Sequence, residues 1–414
     1  MASKTAVDFC WVANRALNAE TVRNEGRIGM SDRADIDRVR RAITIAPLAA
    51  IAANALSAPA TSDFVLGLGL SVNDRPLPRA VELATALGAK SLRIDVPWAQ
   101  VETSRGMYQI PAWLKDCLSK AAERNASVLL ILAYGNPLYG VGKPLTPESR
   151  RAFGEYARFV FTQLKGRVAY YDLWNEWNTH TGGAPGASAA DYIQLASVVA
   201  PIAAAVDPSI RLLSGGISDL GIGRDWLKEF VGGGGLRYFH GVSIHPYNWF
   251  YKGNRTPEGA ESILDEVSST MKLDKQRGST TPIFVTEVGW PAFEGRFGRA
   301  EDEVAEFMWR FIFLAASREQ IKGCWWYCLR DQGNDPSNKE HRFGLLSSSY
   351  EQKPIASKFA SLAALLKQGR PKVIRQGDDI QAGWANSKQA FSWRGSAEGP
   401  SGRLREIPML THTR

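Results

Sequence analysis

Two short runs place a carboxylate in an apolar setting. "YYDLWNEWN" (170–178) ends a hydrophobic stretch on Asn175-Glu176 between Trp174 and Trp177, and "FVTEVGWP" (284–291) ends another on Glu287. A lone carboxylate in such surroundings is either a neutralised acid or a hydrogen-bonded structural anion. A pair can divide a reaction, one protonated to donate to a leaving oxygen and the other ionised to attack carbon. Desolvation by the two indoles should raise the Glu176 carboxyl, while Arg93 and Tyr247 are the groups expected to keep Glu287 charged. This two-carboxylate chemistry is that of glycoside hydrolysis.

Such a pair works only if the chain brings 176 and 287 together. From residue 61 short apolar, β-rich runs recur: "FVLGLGL" (64–70), "SLRIDV" (91–96), "SVLLILAY" (127–134), "VAYYDLWNE" (168–176), "IRLLSGG" (210–216), "GVSIHPY" (241–247), "PIFVTEVG" (282–289) and "GCWWYCLR" (323–330). Segments of helical period separate them, such as "PESRRAFGEYARFVFTQLKG" (147–166), opened by proline and closed by glycine, and "EDEVAEFMWRFIFLAASREQ" (301–320). Eight strand–helix units with strands apolar on both faces predict an α/β fold, a (β/α)8 TIM barrel over 61–368 with a short C-terminal extension. An open doubly wound sheet would need a Gly-rich phosphate turn, and "GLGLSVNDRP" contains no G-x-G-x-x-G. In a barrel, polar residues at the C-terminal strand ends face one mouth. Arg93, Asp95 and Trp98, Tyr134 and Asn136, Asn175 and Glu176, His245 and Tyr247, Glu287, and Trp325, Trp326 and Asp331 should therefore converge.

Charge and cysteine usage exclude other classes. The formal net charge of +8 is carried by the ends: residues 1–60 hold 8 basic and 6 acidic side chains and residues 361–414 hold 9 and 4, leaving 33 against 32 between them. A nearly neutral body without a basic stripe is no nucleic-acid-binding surface. Four cysteines in 414 residues are no disulfide framework, and Cys324 and Cys328 on one strand would lie roughly 13 Å apart. No C-x-x-C or H-x-x-x-H offers a zinc site, so no metal or cofactor is expected, and no obligate protein partner is evident. Residues 1–60 read as an extension with an export signal. It comprises the pair Arg40-Arg41, an uncharged stretch from Ala42 to Leu56 too short to span a membrane, and a small-residue site at Ala58-Pro59-Ala60. The expected destination is periplasmic or secreted.

The motifs "RID", "WNE", "HPY", "TE" and "WWY", in order on strands two, four, six, seven and eight, resemble those of the retaining glycoside hydrolases of clan A. "IHPY", "WNEWN" and "FGLLSSSYEQKPIASKFA" (343–360) are most similar to family 39 and its exopolysaccharide-degrading relatives. The resemblance covers residues 64 to about 366. It implies Glu176 as acid/base, Glu287 as nucleophile, Asn175 on the sugar 2-hydroxyl, Arg93 and Tyr247 supporting the nucleophile, and His245 lining the subsite of the covalent intermediate. Trp326 would floor the sugar, with Trp325 as the alternative. Asn136, Trp98 and Trp177 complete the expected substrate-binding set, with core packing the alternative for the two tryptophans. Many family members carry proline where this chain has Trp177. The tail 369–414, with at most two or three strands, is too short for the appended β-domain of full-length relatives and is expected to lie against the barrel or be partly disordered. The implied reaction is endo-hydrolysis of an exopolysaccharide or oligosaccharide. An exo-acting β-xylosidase or β-glucosidase is the alternative within that class, and a catalytically silent glycan-binding barrel is the alternative outside it.

Overall fold

The computed structural model describes residues 63–408 apart from 72, 141, 182–186, 224, 251–252, 386, 388 and 396–402. The expected export signal lies outside the described residues. Eight parallel strand positions form one sheet: β1 (Val65–Gly69), β2 (Ser91–Pro97), β3 (Ser127–Ala133), β4 (Tyr170–Leu173), β5 in two pieces (Leu212–Leu213 and Ile217–Ser218), β6 (Val242–His245), β7 (Ile283–Val288) and β8 (Ile321–Trp326). Hydrogen bonding runs from the first piece of β5 through β4, β3, β2, β1, β8, β7 and β6 to its second piece. The ring therefore closes through a broken strand. Leu213 bridges to Gly241 ahead of β6, and Asn175 beyond β4 bridges to Gly216. The break falls at Gly215, whose φ is +61° and where a Cβ would collide with the carbonyls of Leu173 and Trp174.

Strand residues alternate between two apolar environments, which explains the unbroken hydrophobic runs. Leu129, Ile131 and Ala133 of β3 join Leu213, Phe284 and Trp325 in a plug inside the ring, while Val128, Leu130 and Leu132 face the outer helices. Those helices are α1 (Leu77–Ala86), α2 (Ala112–Glu123), α3 (Pro147–Gln163), α4 (Ala189–Val206), α5 (Trp226–Gly232), α6 (Pro257–Met271), α7 (Glu301–Ala316) and α8 (Pro354–Leu365). Thr146 with Ser149 and Ser188 with Asp191 close reciprocal capping boxes at the starts of α3 and α4, and Pro147 occupies the first turn of α3. By length and composition α4 could cross a membrane; in this fold it packs on α3 as a barrel helix.

The C-terminal segment corrects the expectation of two or three strands. It forms a four-stranded antiparallel sheet, β9 (Lys372–Gln376), β10 (Asp379–Gly383), β11 (Gln389–Arg394) and β12 (Arg405–Pro408), in that order. Its inner face supplies Trp384, Phe391 and Trp393, which pack on Trp309 and Phe313 of α7. The Trp393 indole also donates to Glu258 Oε1 at 2.8 Å, and Glu258 is ion-paired with buried Arg310. Polar residues on β9 and β12, exposed at the two sheet edges, hide these strands from a hydrophobicity pattern.

Candidate active site

Three backbone irregularities assemble the mouth. Regular alternation would send Asn175 and Glu176 to opposite sides of β4. Trp174 and Glu176 instead take left-handed conformations, with φ of +74° and +50°. This turns the Trp174 indole outward against Tyr134 and Trp177 while Asn175 and Glu176 both reach the mouth. At β7 the register with β8 slips between Val285 and Val288, a bulge that lets adjacent Thr286 and Glu287 both contact the His245–Arg93 group. At β5, Gly216 leaves room for an imidazole, since a Cβ there would overlap the His245 ring.

Arg93 is the hub. Its guanidinium contacts Glu287 Oε1 directly, donates to Asn175 Oδ1 at 2.8 Å and lies 3.7 Å from Asp172 Oδ2. Tyr247 donates its phenol to Glu287 Oε2 at 3.0 Å. Burial pushes the Glu287 carboxyl up, but the nearby His245 and Arg93 and the hydrogen bonds from Tyr247 and Arg93 outweigh it, holding the group below the ordinary glutamate range. Beneath Arg93, Asp172 is fully buried and accepts from Ser243 at 3.2 Å; burial pushes its carboxyl up to about 6 against the pull of Arg93. Asn175 also donates to the Tyr134 phenol at 3.1 Å.

Glu176 faces the same cavity from β4. Its Oε1 lies 2.9 Å from His245 Nδ1, and Thr181 donates to its Oε2 at 3.2 Å. The His245 Nε2 lies 3.1 Å from Thr286 Oγ1. One oxygen each of Glu176 and Glu287 and one His245 nitrogen fall within 4.8 Å of one another. The Arg93 guanidinium already places positive charge against Glu287 in this group.

The structure brings Glu176, Glu287, Asn175, Arg93, His245 and Tyr247 together. Four expected substrate contacts are elsewhere. Trp326 has no exposed surface and packs outward on Trp290, and Trp325 fills the interior plug. The half-buried aromatic at this strand end is Tyr327, packed edge-on against Phe343 next to Tyr247. Trp98 is buried against Tyr139 and donates to Glu102. Asn136 caps a short turn at Leu138 and binds the Glu102 carbonyl. Trp177 packs between Trp174 and Tyr192 with its indole donating to Ser188, so the two indoles flanking Glu176 in sequence do not enclose its carboxyl. His245 is fully buried, with its ring nitrogens against Glu176 and Thr286. Asp331 is tied to Lys353 and the Gly344 amide, away from the pair. Sequence reasoning missed Thr286, Asp172, Thr181 and Lys143. Lys143, on the loop before α3, donates to the Thr179 carbonyl at 2.6 Å. Burial lowers its ammonium to about 8, against the pull of Glu176.

Residues 173–357, which include both glutamates, match the family model described as glycosyl hydrolase catalytic core. This segment, somewhat under half of the chain, is similar to the catalytic core of glycosyl hydrolases. No curated protein matches it in sequence. Among solved structures the core is similar to a family 39 glycoside hydrolase from the gut symbiont Bacteroides cellulosilyticus WH2, with 22% identity over 84% of this chain and 80% of that one and a TM-score of 0.68. It is also similar to the family 39 enzyme from Xanthomonas axonopodis pv. citri, at 15% identity, 84% and 75% coverage and a TM-score of 0.59. A monomeric β-xylosidase from Caulobacter crescentus CB15 aligns at 14% identity, 83% and 77% coverage and a TM-score of 0.58. At these identities the likeness is one of fold, the (β/α)8 barrel of glycoside hydrolases.

The close approach of Gly216 to His245 gives a test of the assembly. Gly216→Ala should displace the imidazole from Glu176 and Thr286 and lower kcat/KM on the order of 100-fold, with a stability loss of about 1–3 kcal/mol. Steady-state kinetics beside thermal melting decide it; unchanged kinetics would mean that His245 does not position Glu176.

Proposed function

We propose that this core hydrolyses β-glycosidic bonds with retention by double displacement, Glu176 acting as acid/base and Glu287 as nucleophile. The observation that carries this reading is that one oxygen of Glu176 and one of Glu287 lie within 4.8 Å of each other, both against His245. Retaining pairs lie about 5–5.5 Å apart, whereas inverting pairs leave roughly 6.5–9.5 Å for a water. The electrostatics support the same roles. Glu287, held ionised by Arg93 and Tyr247, attacks the anomeric carbon while the proton on Glu176 passes to the departing glycosidic oxygen. Glu176, now ionised, takes a proton from water, which displaces Glu287 and restores both groups. Asn175, fixed by Arg93 and Tyr134, presents its amide beside the nucleophile, where a sugar 2-hydroxyl would lie.

The substrate we propose is an exopolysaccharide or oligosaccharide outside the cytoplasm, cut internally. A specific observation favours a second reading, exo-acting β-xylosidase or β-glucosidase action, because one structural neighbour is a β-xylosidase. Proton NMR of the first product from a cleaved β-glycoside tests the mechanism: the β-anomer is expected first, and the α-anomer first would defeat it. Product sizes separate the modes, since internal cutting shortens polymers before monosaccharide appears.

A further inference from the structure

Asp95 is partly exposed near the C-terminal end of β2, and no described residue hydrogen-bonds to it. It lies two residues beyond Arg93 on β2, on the same face, and pairs in register with Ile131 of the interior plug. Two strand residues advance roughly 7 Å toward the mouth. The carboxylate lies within electrostatic reach of Arg93, Glu287, Asp172 and His245. It is half-buried, yet no described side chain donates to it, because Arg93 is committed to Glu287 and Asn175. Burial raises this carboxyl to about 6 in spite of Arg93. A partly exposed carboxylate to which no described side chain donates is open to donors from outside the fold.

We propose that Asp95 is a substrate-binding, specificity-determining residue. Its carboxylate accepts hydrogen bonds from hydroxyls of the sugar that Glu287 attacks, and its charge restricts that position to neutral sugars. A sugar hydroxyl is a donor that an ionised carboxylate can take up in pairs. A uronic acid entering the same position meets the carboxylates of Glu176, Glu287 and Asp95, and the guanidinium at the centre is already engaged. This inference rests on the glycosidase reading of Glu176 and Glu287. The competing role is purely electrostatic: Asp95 would only raise the Glu287 carboxyl by like charge.

The test compares wild type with Asp95→Asn, and with Asp95→Glu as the conservative variant, on 2,4-dinitrophenyl β-glucoside, β-xyloside and β-glucuronide near pH 7.5. Thermal melting checks the fold. The wild type should cleave a neutral glycoside and reject the glucuronide. Asp95→Asn should lose on the order of 100-fold in kcat/KM on the neutral sugar, and the neutral-to-uronate ratio should fall at least about tenfold, with Asp95→Glu recovering part of it. An unchanged ratio with the acidic limb of the pH–rate profile moved downward would overturn the proposal in favour of the electrostatic role. A wild-type preference for the glucuronide would overturn it outright while leaving the retaining mechanism standing. Inverted product stereochemistry with the predicted change in ratio would remove the mechanism alone, and inactivity of the wild type on the whole panel would overturn both.

Discussion

Glu287→Ala should lose on the order of 10^4-fold or more in kcat, and azide or formate should restore turnover with an inverted glycosyl product. The reasoning is geometric. Removing the carboxylate leaves a space bordered by the Arg93 guanidinium and the Tyr247 hydroxyl, both donors that previously bound an anion. A small anion bound there attacks the anomeric carbon from the nucleophile's side, with Glu176 still present to protonate the leaving oxygen. No second displacement follows, so configuration inverts. Glu176→Ala should behave differently. Attack by Glu287 persists when the leaving group needs no proton, so dinitrophenyl glycosides retain the first step, while substrates with poor leaving groups lose roughly 10^2–10^4-fold. Azide should then restore turnover of the glycosyl-enzyme with retained configuration. Equal losses in both variants that no anion rescues would count against the assigned roles.

The difference between what was and was not legible in the sequence lies in periodicity. The barrel could be read because each strand is apolar on two faces and each helix on one, and those patterns survive any detail of the loops. The meeting of the two carboxylates could be read because both glutamates end such strands. Side-chain direction at those ends could not, because it is set where the pattern fails. Regular alternation cannot foresee the left-handed Trp174 and Glu176 or the bulge at Thr286–Glu287. For that reason the pattern puts Trp177 beside the Glu176 carboxyl although it packs between Trp174 and Tyr192, and gives Thr286 no role although it adjoins Glu287 and contacts His245. At β8 the choice between Trp325 and Trp326 assumed that one of the two indoles faces the sugar. The first fills the plug and the second the helix layer, and the chain must advance to Tyr327 to expose an aromatic at the mouth. The one available hint was Gly216, which makes sense only once His245 is seen above it.

Arg93→Met should move the acidic limb of the pH–rate profile upward and lower the maximal rate on the order of 10^2–10^3-fold. Burial raises the Glu287 carboxyl, and the group stays low because His245, Arg93 and Tyr247 oppose that effect. Withdrawing the guanidinium removes one opposing cation and one hydrogen bond together, so the carboxyl protonates at higher pH and the fraction of competent nucleophile falls from the acidic side. Asp172 supplies a second readout. Its folded-state carboxyl, already raised to about 6 by burial, gives relative stability that is full below the unfolded range and is lost as pH rises through 6. Without Arg93 it should rise further, so the variant's melting temperature should fall more at pH 8 than at pH 5. A purely structural role for Arg93 would reproduce the melting behaviour and leave the acidic limb in place. Measuring kcat/KM from about pH 4 to 8 on both proteins separates the two, because only loss of the ion pair to the nucleophile moves the profile.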